Sequence, residues 1–340
     1  MSGRTLEGQS ARRPASIAAV DRLDVLVLVD NVTDQLSSNP GDVQSEFANL
    51  MKSGLRTISG EAICCAQHGL SLLITAHRAG TSHTVLFDTG PEGYAIERNS
   101  RLLGVDFGAV ESLVLSHGHW DHCGGALTAL RLARDGRHRP AVAVYTHPGM
   151  FRRRARRLPG GDVVPFNAIA TAAEMTGTGA AVVVTPEPRL LHGDHFYVSG
   201  EIPRVTGYER GLADHLWQPE KHAAWEPDPL ILDERFLAAH VEGKGLVVVT
   251  GCSHAGVVNV LTQARALFPD VPLFSVMGGL HLSGAGPEKV IGDTVADLAR
   301  FGLRRIAPGH CTGWRAVTAL VNAFGETAVT PLAVGKRFSF

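Results

Sequence analysis

The sequence predicts an α/β protein, and two patterns carry that prediction. In its second half the chain repeats strand, polar turn and helix: LVVVTGCSHAG before Val257–Leu267, PLFSVMGGLHLSG before Glu288–Phe301, and RRIAPGHCTG before Trp314–Phe324. Each apolar run suits a buried strand and ends in a small-residue turn that holds a histidine. That is the rhythm of the strand-end loops of an α/β protein, where active sites collect. The second pattern is LVLSHGHWDHCGG at 113–125, where a buried strand runs directly into His117, His119, Asp121 and His122. Crowding imidazoles and a carboxylate in this way is electrostatically costly without a central cation.

Taken from the N-terminus, residues 1–21 are polar, small and Arg-rich, and read as a mobile tail ahead of a single domain spanning 22–340. LDVLVLVDN (23–31) is a buried strand, and 33–59 is a loop with a weak helical stretch near Val43–Leu50. EAICCAQ, LSLLITA and HTVLFDTG follow as three strand-like runs separated by turn signals. A helix is expected at Glu92–Leu103, then the strand before the His-rich loop, then a helix at Ala126–Arg134 and a strand in AVAVYTHP. Gly149–Leu158 reads as a short basic helix. The Gly/Pro-rich stretch 159–230 reads as a substrate-facing insertion with strands at Ala181–Val184 and His195–Ser199.

Composition narrows the class. A hydrophobic share of 44% with 19% charged residues is ordinary for a globular chain that buries a sizeable core. The net charge of -1 offers no field for nucleic acid or an anionic membrane, so neither is expected as a partner. No run reaches the ~18 apolar residues of a membrane helix. Five cysteines, an odd number with Cys64 and Cys65 adjacent, argue against a disulfide framework and for a reduced, cytoplasmic setting. Arg12-Arg13 is followed by Pro14 and no apolar stretch, so an export signal is not expected there.

His117 and His119 are two apart on an extended segment, so both rings point to one side and can grip one ion. Asp121 and His122 follow after the chain turns and can reach a neighbouring ion about 3.5–4 Å away. Imidazole and carboxylate donors suit one or two zinc ions, with manganese, iron or magnesium as alternatives.

SHGHWDHCGG resembles the HxHxDH signature of the metallo-β-lactamase fold, and LFDTG (86–90) resembles the strand-end Asp motif that precedes it there. VDN (29–31) matches the first core strand. HGLSLLI (68–74), THPGMF (146–151), SGEIPR (199–204), TGCSHAG (250–256), GGLHL (278–282) and PGHCTG (308–313) resemble one branch of that superfamily. It is the branch of 7,8-dihydropterin-6-methyl-4-(β-D-ribofuranosyl)aminobenzene-5'-phosphate synthase-like proteins. The resemblance implies an αββα sandwich of two mixed sheets flanked by helices, with metals at one edge. It carries over to His117, His119, Asp121 and His122 as ligands and to His310 as the final histidine. The superfamily's other His and its bridging Asp have no direct counterpart. His254 is the choice for the imidazole, and Cys252 stands near the bridging position as a further ligand.

Around that set, Asp88 is expected to orient a ligand histidine by hydrogen bonding. His281 is a proton-transfer group, a role Asp121 can share, or a substrate contact, or else a structural histidine. Glu201, Arg204 and His147 are candidates for substrate contact, and His68 has no assigned chemistry. His192 and His195 flank Gly193-Asp194, a hairpin signal, and read as an exposed turn. FRRRARR (151–157) reads as a solvated helix face or a phosphate anchor. The leading expectation is a metal-dependent hydrolase or transferase acting on a phosphorylated or ester-bearing small molecule. A non-catalytic metal-binding or sensing protein is the alternative. A diiron redox enzyme of this fold is disfavoured, since His119 stands where that class carries glutamate and no flavin module is present.

Overall fold

The computed structural model describes residues 16–136 and 141–340. Most of the expected tail, including Arg12-Arg13, lies outside the described residues. Two mixed sheets face each other. The first runs Arg189–Leu191, Phe196–Val198, Leu237–Val241, Gly245–Thr250, Leu273–Gly279 and Arg305–Gly309, with Ala19–Val20 alongside Leu237–Val241. Ile17 is buried as well, so the packed chain begins ahead of the expected boundary at 22. The second runs Ala181–Val184, Ala143–Thr146, Val110–Val114, Thr81–Phe87, Ser71–Arg78, Arg22–Val29, Arg337–Ser339 and Val43–Gln44.

Strand alternation builds the layers. In Arg22–Val29, Leu23, Val25 and Val27 point into the core between the sheets, while Leu26 and Leu28 point to the outer core. In Gly245–Thr250, Val247 and Val249 enter the shared core, whereas Leu246 and Val248 meet the helices Val257–Leu267 and Trp314–Phe324. Strands buried on both faces read as continuous apolar runs for this reason. The helices Gly93–Leu102 and Ala126–Asp135 cover the other outer face, which completes the αββα order. Among the described residues no helix is long and apolar enough to cross a membrane.

Three local expectations are corrected. EAICCAQ forms no strand. The Cys64 amide donates to Glu46 Oε1 at 2.8 Å, and Cys65 exchanges bonds with the Asn99 side chain, so side chains take the place of a neighbouring strand. The basic helix at Gly149–Leu158 is instead a short 3-10 turn, Pro148–Phe151, followed by the strand Arg153–Arg157. Pairing with His215–Gln218 decides this, in a small third sheet that also holds Val163–Pro165 and Glu226–Pro227; tertiary contacts override local propensity. Finally, 159–230 is not a single insertion, because Ala181–Val184 belongs to one main sheet and Arg189–Leu191 with Phe196–Val198 to the other.

The basic run therefore divides by side chain. Arg154 is buried and ion-paired with Asp233 and with Asp228, the latter at 3.1 Å. Asp233 also accepts from the Gly118 amide at 2.8 Å, so the pair braces the His-rich loop. Arg154→Ala leaves Asp233 buried without its cation and Asp228 with Arg152 alone, 3.6 Å away, and is expected to cost about 3–5 kcal/mol. Arg157→Ala, at an exposed position, is expected to stay within about 0.5 kcal/mol. Urea unfolding of both variants checks the difference; equal midpoints would show that Arg154 braces nothing.

Candidate metal centre

Six strands bring the site residues to one edge of the sandwich, each through the loop at its carboxyl end. Arg22–Val29 leads to Asp30, Thr81–Phe87 to Asp88, and Val110–Val114 to the His117–His122 loop. Gly245–Thr250 leads to Cys252 and His254, Leu273–Gly279 to His281, and Arg305–Gly309 to His310. The loops turn sharply: Asp88, Ser253, His281 and His310 adopt φ of 58°, 61°, 44° and 47°. Left-handed backbone at non-glycine residues costs of order 1–3 kcal/mol each and gathers at functional sites. Gly118 answers a different need, since a Cβ there would overlap the Met150 carbonyl.

Two groups of donor atoms converge. His117 Nε2 lies 3.0 Å from His119 Nδ1 and 3.1 Å from His254 Nε2. Burial, together with neighbouring imidazoles and Arg154, drives the pKa values of His117 and His119 well below the ordinary imidazole range, and burial with neighbouring imidazoles does the same for His254. Three neutral rings thus aim nitrogens at one point. Around the second point stand His122, Cys252 and His310, with His122 Nε2 3.1 Å from Cys252 Sγ. Asp121 Oδ2 lies 3.4 Å from His310 Nε2 and 3.5 Å from His68 Nε2. Cys252 belongs to both groups, which places its sulfur between them.

The donor set fits a zinc-class dication at each point. Imidazole nitrogens ~2.0–2.1 Å from a tetrahedral ion stand about 3.3 Å apart, close to the spacing seen. His310 Nε2 is buried with no hydrogen-bond partner, which leaves it available to an ion. The opposite nitrogens of three rings are held, His117 Nδ1 by Ser116 Oγ at 2.9 Å, His122 Nδ1 by Asp88 Oδ2 at 2.7 Å and His310 Nδ1 by Asn31 Oδ1 at 3.0 Å, whereas those of His119 and His254 have no partner among the described residues. With Nδ1–H so engaged, Nε2 is the nitrogen each of the three rings turns towards an ion. Burial opposes a charged His122, but Asp88 and Asp121 outweigh it and raise its pKa to about 9. Burial and the adjacent Cys311 push the Cys252 thiol well above its usual range. Both groups therefore hold protons that a bound dication would displace.

The other expected residues divide. His281 stands beside the centre, its ring 4.5 Å from that of His254 and its Nδ1 unpartnered, on the wall of a cavity of about 950 Å³. Glu201, Arg204 and His147, candidates for substrate contact, are not among the residues that line that cavity. Phe196–Val198, which leads to Glu201 and Arg204, lies two strands from Gly245–Thr250, roughly 10 Å across the sheet. Arg204 bonds the carbonyls of Ile202 and Leu230. His147 accepts from the Gly149 amide at 3.0 Å and faces Glu201 at 3.5 Å. Sequence reasoning missed His215, whose ring lies 5.1 Å from that of His119, and Cys311, grouped with Cys252 and His281. It also missed Glu234, which accepts from the His254 and Ala255 amides. Cys311 adjoins a predicted ligand and could have been found; His215 reaches the site from the third sheet, and nothing in its local sequence marks it.

Variants test the two groups separately. His117→Ala and His254→Ala are each expected to weaken zinc binding by more than about 100-fold, the upper end of what losing a mere supporting hydrogen bond costs. Each should still unfold cooperatively. In cobalt-loaded protein, Cys252→Ser should abolish the near-ultraviolet sulfur-to-cobalt band. Zinc affinity should rise from pH 7 towards pH 9, because His122 carries its displaceable proton until about pH 9. A flat profile, or a cobalt spectrum without the sulfur band in wild type, contradicts this arrangement.

Known proteins resemble this chain in sequence and in fold. The chain is 28% identical over 264 residues to the 7,8-dihydropterin-6-methyl-4-(beta-D-ribofuranosyl)-aminobenzene-5'-phosphate synthase of Methanocaldococcus jannaschii, covering 77% of this chain and 86% of that one. The fold is similar to that of Tm1679, described as a metal-dependent hydrolase of the beta-lactamase superfamily. There the TM-score is 0.66 at 21% identity, over 93% of this chain and 98% of the other. Unliganded yeast PDE1 is similar at a TM-score of 0.53 and 10% identity, over 95% of this chain and 100% of that one. The family model of the metallo-beta-lactamase superfamily matches residues 67–269, and the chain belongs to that superfamily.

Proposed function

We propose that the protein is a metal-dependent enzyme that hydrolyses or transfers a group on a phosphorylated or ester-bearing small molecule. The observation that carries this reading is the pair of donor groups sharing Cys252 at the floor of an open cleft. A sensing or storage site needs no such access, whereas a substrate does. Bound there, zinc-class ions supply Lewis acidity and lower the pKa of a water to ≈ 7.

The protein's own groups supply the rest. Trp120 and Phe166 offer apolar faces on the cleft wall, and Arg156 and Arg210 offer positive charge. Arg156 holds Asp214 through a single Nε contact at 2.6 Å, which leaves its terminal nitrogens for an anion. His281 stands where it can hold or deliver a proton, and Asp121, grouped with His68 and His310, offers a carboxylate oxygen beside the second donor point. The Methanocaldococcus relative is named for making a 5'-phosphate product. A cleft with two guanidinium groups beside aromatic faces suits a planar, phosphorylated substrate of that general kind.

The test is a panel of phosphomonoesters, phosphodiesters and carboxyesters, together with the relative's condensation, run on zinc-, manganese- and iron-loaded protein. Turnover that chelation removes is expected with a phosphorylated substrate. No turnover with any metal would leave the non-catalytic reading in its place. Arg156→Ala should raise KM for phosphorylated substrates about 10-fold, some 1.4 kcal/mol, with kcat and carboxyester KM little changed.

A further inference from the structure

A second set of metal-capable side chains lies away from the cleft. His83 is on Thr81–Phe87 and Glu111 on Val110–Val114, both in the eight-stranded sheet. His192 opens the turn His192-Gly193-Asp194-His195, which joins Arg189–Leu191 to Phe196–Val198 in the other sheet. His83 and Asp88 are five residues apart along one extended segment, so the cluster is about 17 Å from the cleft end of that strand.

The geometry is that of converging donors. Glu111 Oε2 lies 3.0 Å from His83 Nδ1 and 3.1 Å from His192 Nδ1, and the two rings stack with planes 13° apart. His192 Nε2 lies 2.8 Å from Ser112 Oγ. When Nε2–H donates to that hydroxyl, Nδ1 presents its lone pair towards Glu111, the arrangement that fixes the tautomer of a metal-bound histidine. The expected exposed turn is thus corrected: the hairpin forms, but the His192 side chain is only 16% exposed and points into the gap between the sheets. Holding it there requires φ of 54° at His192 and 66° at Asp194, a backbone state that costs free energy away from glycine. The ring of His195 stands 5.9 Å from that of His83, on the same turn.

We propose that His83, Glu111 and His192 form a separate site for a zinc-class dication, tying the two sheets together at the edge opposite the cleft. Two imidazole nitrogens and one carboxylate oxygen are a zinc donor set that leaves a position for water. The side chains of His83 and Glu111, 28% and 22% exposed, leave a path for the ion to enter. Such an ion stabilises the folded state by its binding free energy. The site is independent of the proposed catalytic activity.

Demetallated full-length protein is given a small excess of zinc and desalted, and its metal is counted for wild type, His83→Ala, Glu111→Gln and His192→Asn. The Asn variant is chosen because Asn tolerates the left-handed turn. Each variant is expected to retain one equivalent less than wild type, and zinc should raise its thermal midpoint less. His117→Ala should keep this ion while losing metal from the cleft. Equal zinc content in wild type and the three variants overturns the proposal and leaves Glu111 as a carboxylate bonded by two imidazole N–H groups. Should a variant fail to fold, zinc-edge anomalous diffraction from wild-type crystals decides: a peak between His83 Nδ1 and Glu111 Oε2 supports the site, and its absence overturns it.

Discussion

The carboxylate of Asp88, which has no exposed surface, holds the candidate metal centre in register. It accepts from the Ser116 amide, from Ser116 Oγ and from His122 Nδ1, each at 2.7 Å, and Ser116 Oγ in turn contacts His117 Nδ1 at 2.9 Å. One buried group thereby orients a ring in each donor group. Burying a carboxylate costs several kcal/mol unless its lone pairs are filled, and charge-assisted hydrogen bonds fill them here. The left-handed backbone of Asp88 follows from this, since the chain must double back at the strand end to place the carboxylate under the loop.

A second tier of acids braces the loop from behind. Asp233 ties the Gly118 amide to Arg154, and neighbouring Glu234 holds the His254 and Ala255 amides. Two consecutive acidic residues therefore fix backbone on both sides of the three-imidazole group. Rings held from outside in this way keep their nitrogens aimed at one point, so little reorganisation is needed when an ion arrives. Pre-organisation of this kind makes an electrostatic site effective.

The contrast between the two sides of the centre bears on its chemistry. Behind it, His117 and His122 are wholly buried against strand ends. In front, His68 is exposed, and the third sheet contributes His215 and Arg156 to the cleft wall. The candidate ligands are thus kept dry while one face stays open, and it is on that face that the third sheet stands.

The α/β class, most helix positions and the ligand-bearing turns were legible in the sequence, because they depend on local patterns. Apolar runs ending in small residues mark strand ends, and the spacing of His117, His119, Asp121 and His122 places donors within one loop. Cys252 and His254 could be picked out because their turn repeats that pattern, although which of them joined which donor group depended on strands far apart in sequence. What tertiary structure alone decided was everything that relies on partners distant along the chain. The basic run became a strand because His215–Gln218 pairs with it, and its Arg154 became buried because Asp228 and Asp233 await it. Glu201 and Arg204 fell outside the cleft because sheet order set their strand aside, and His147, although it follows a strand beside Val110–Val114, turns its ring to the Gly149 amide. His192 turned inward towards Glu111, some eighty residues earlier. Local sequence encodes which residues can bond; only the packed sheets determine which groups come within reach of one another.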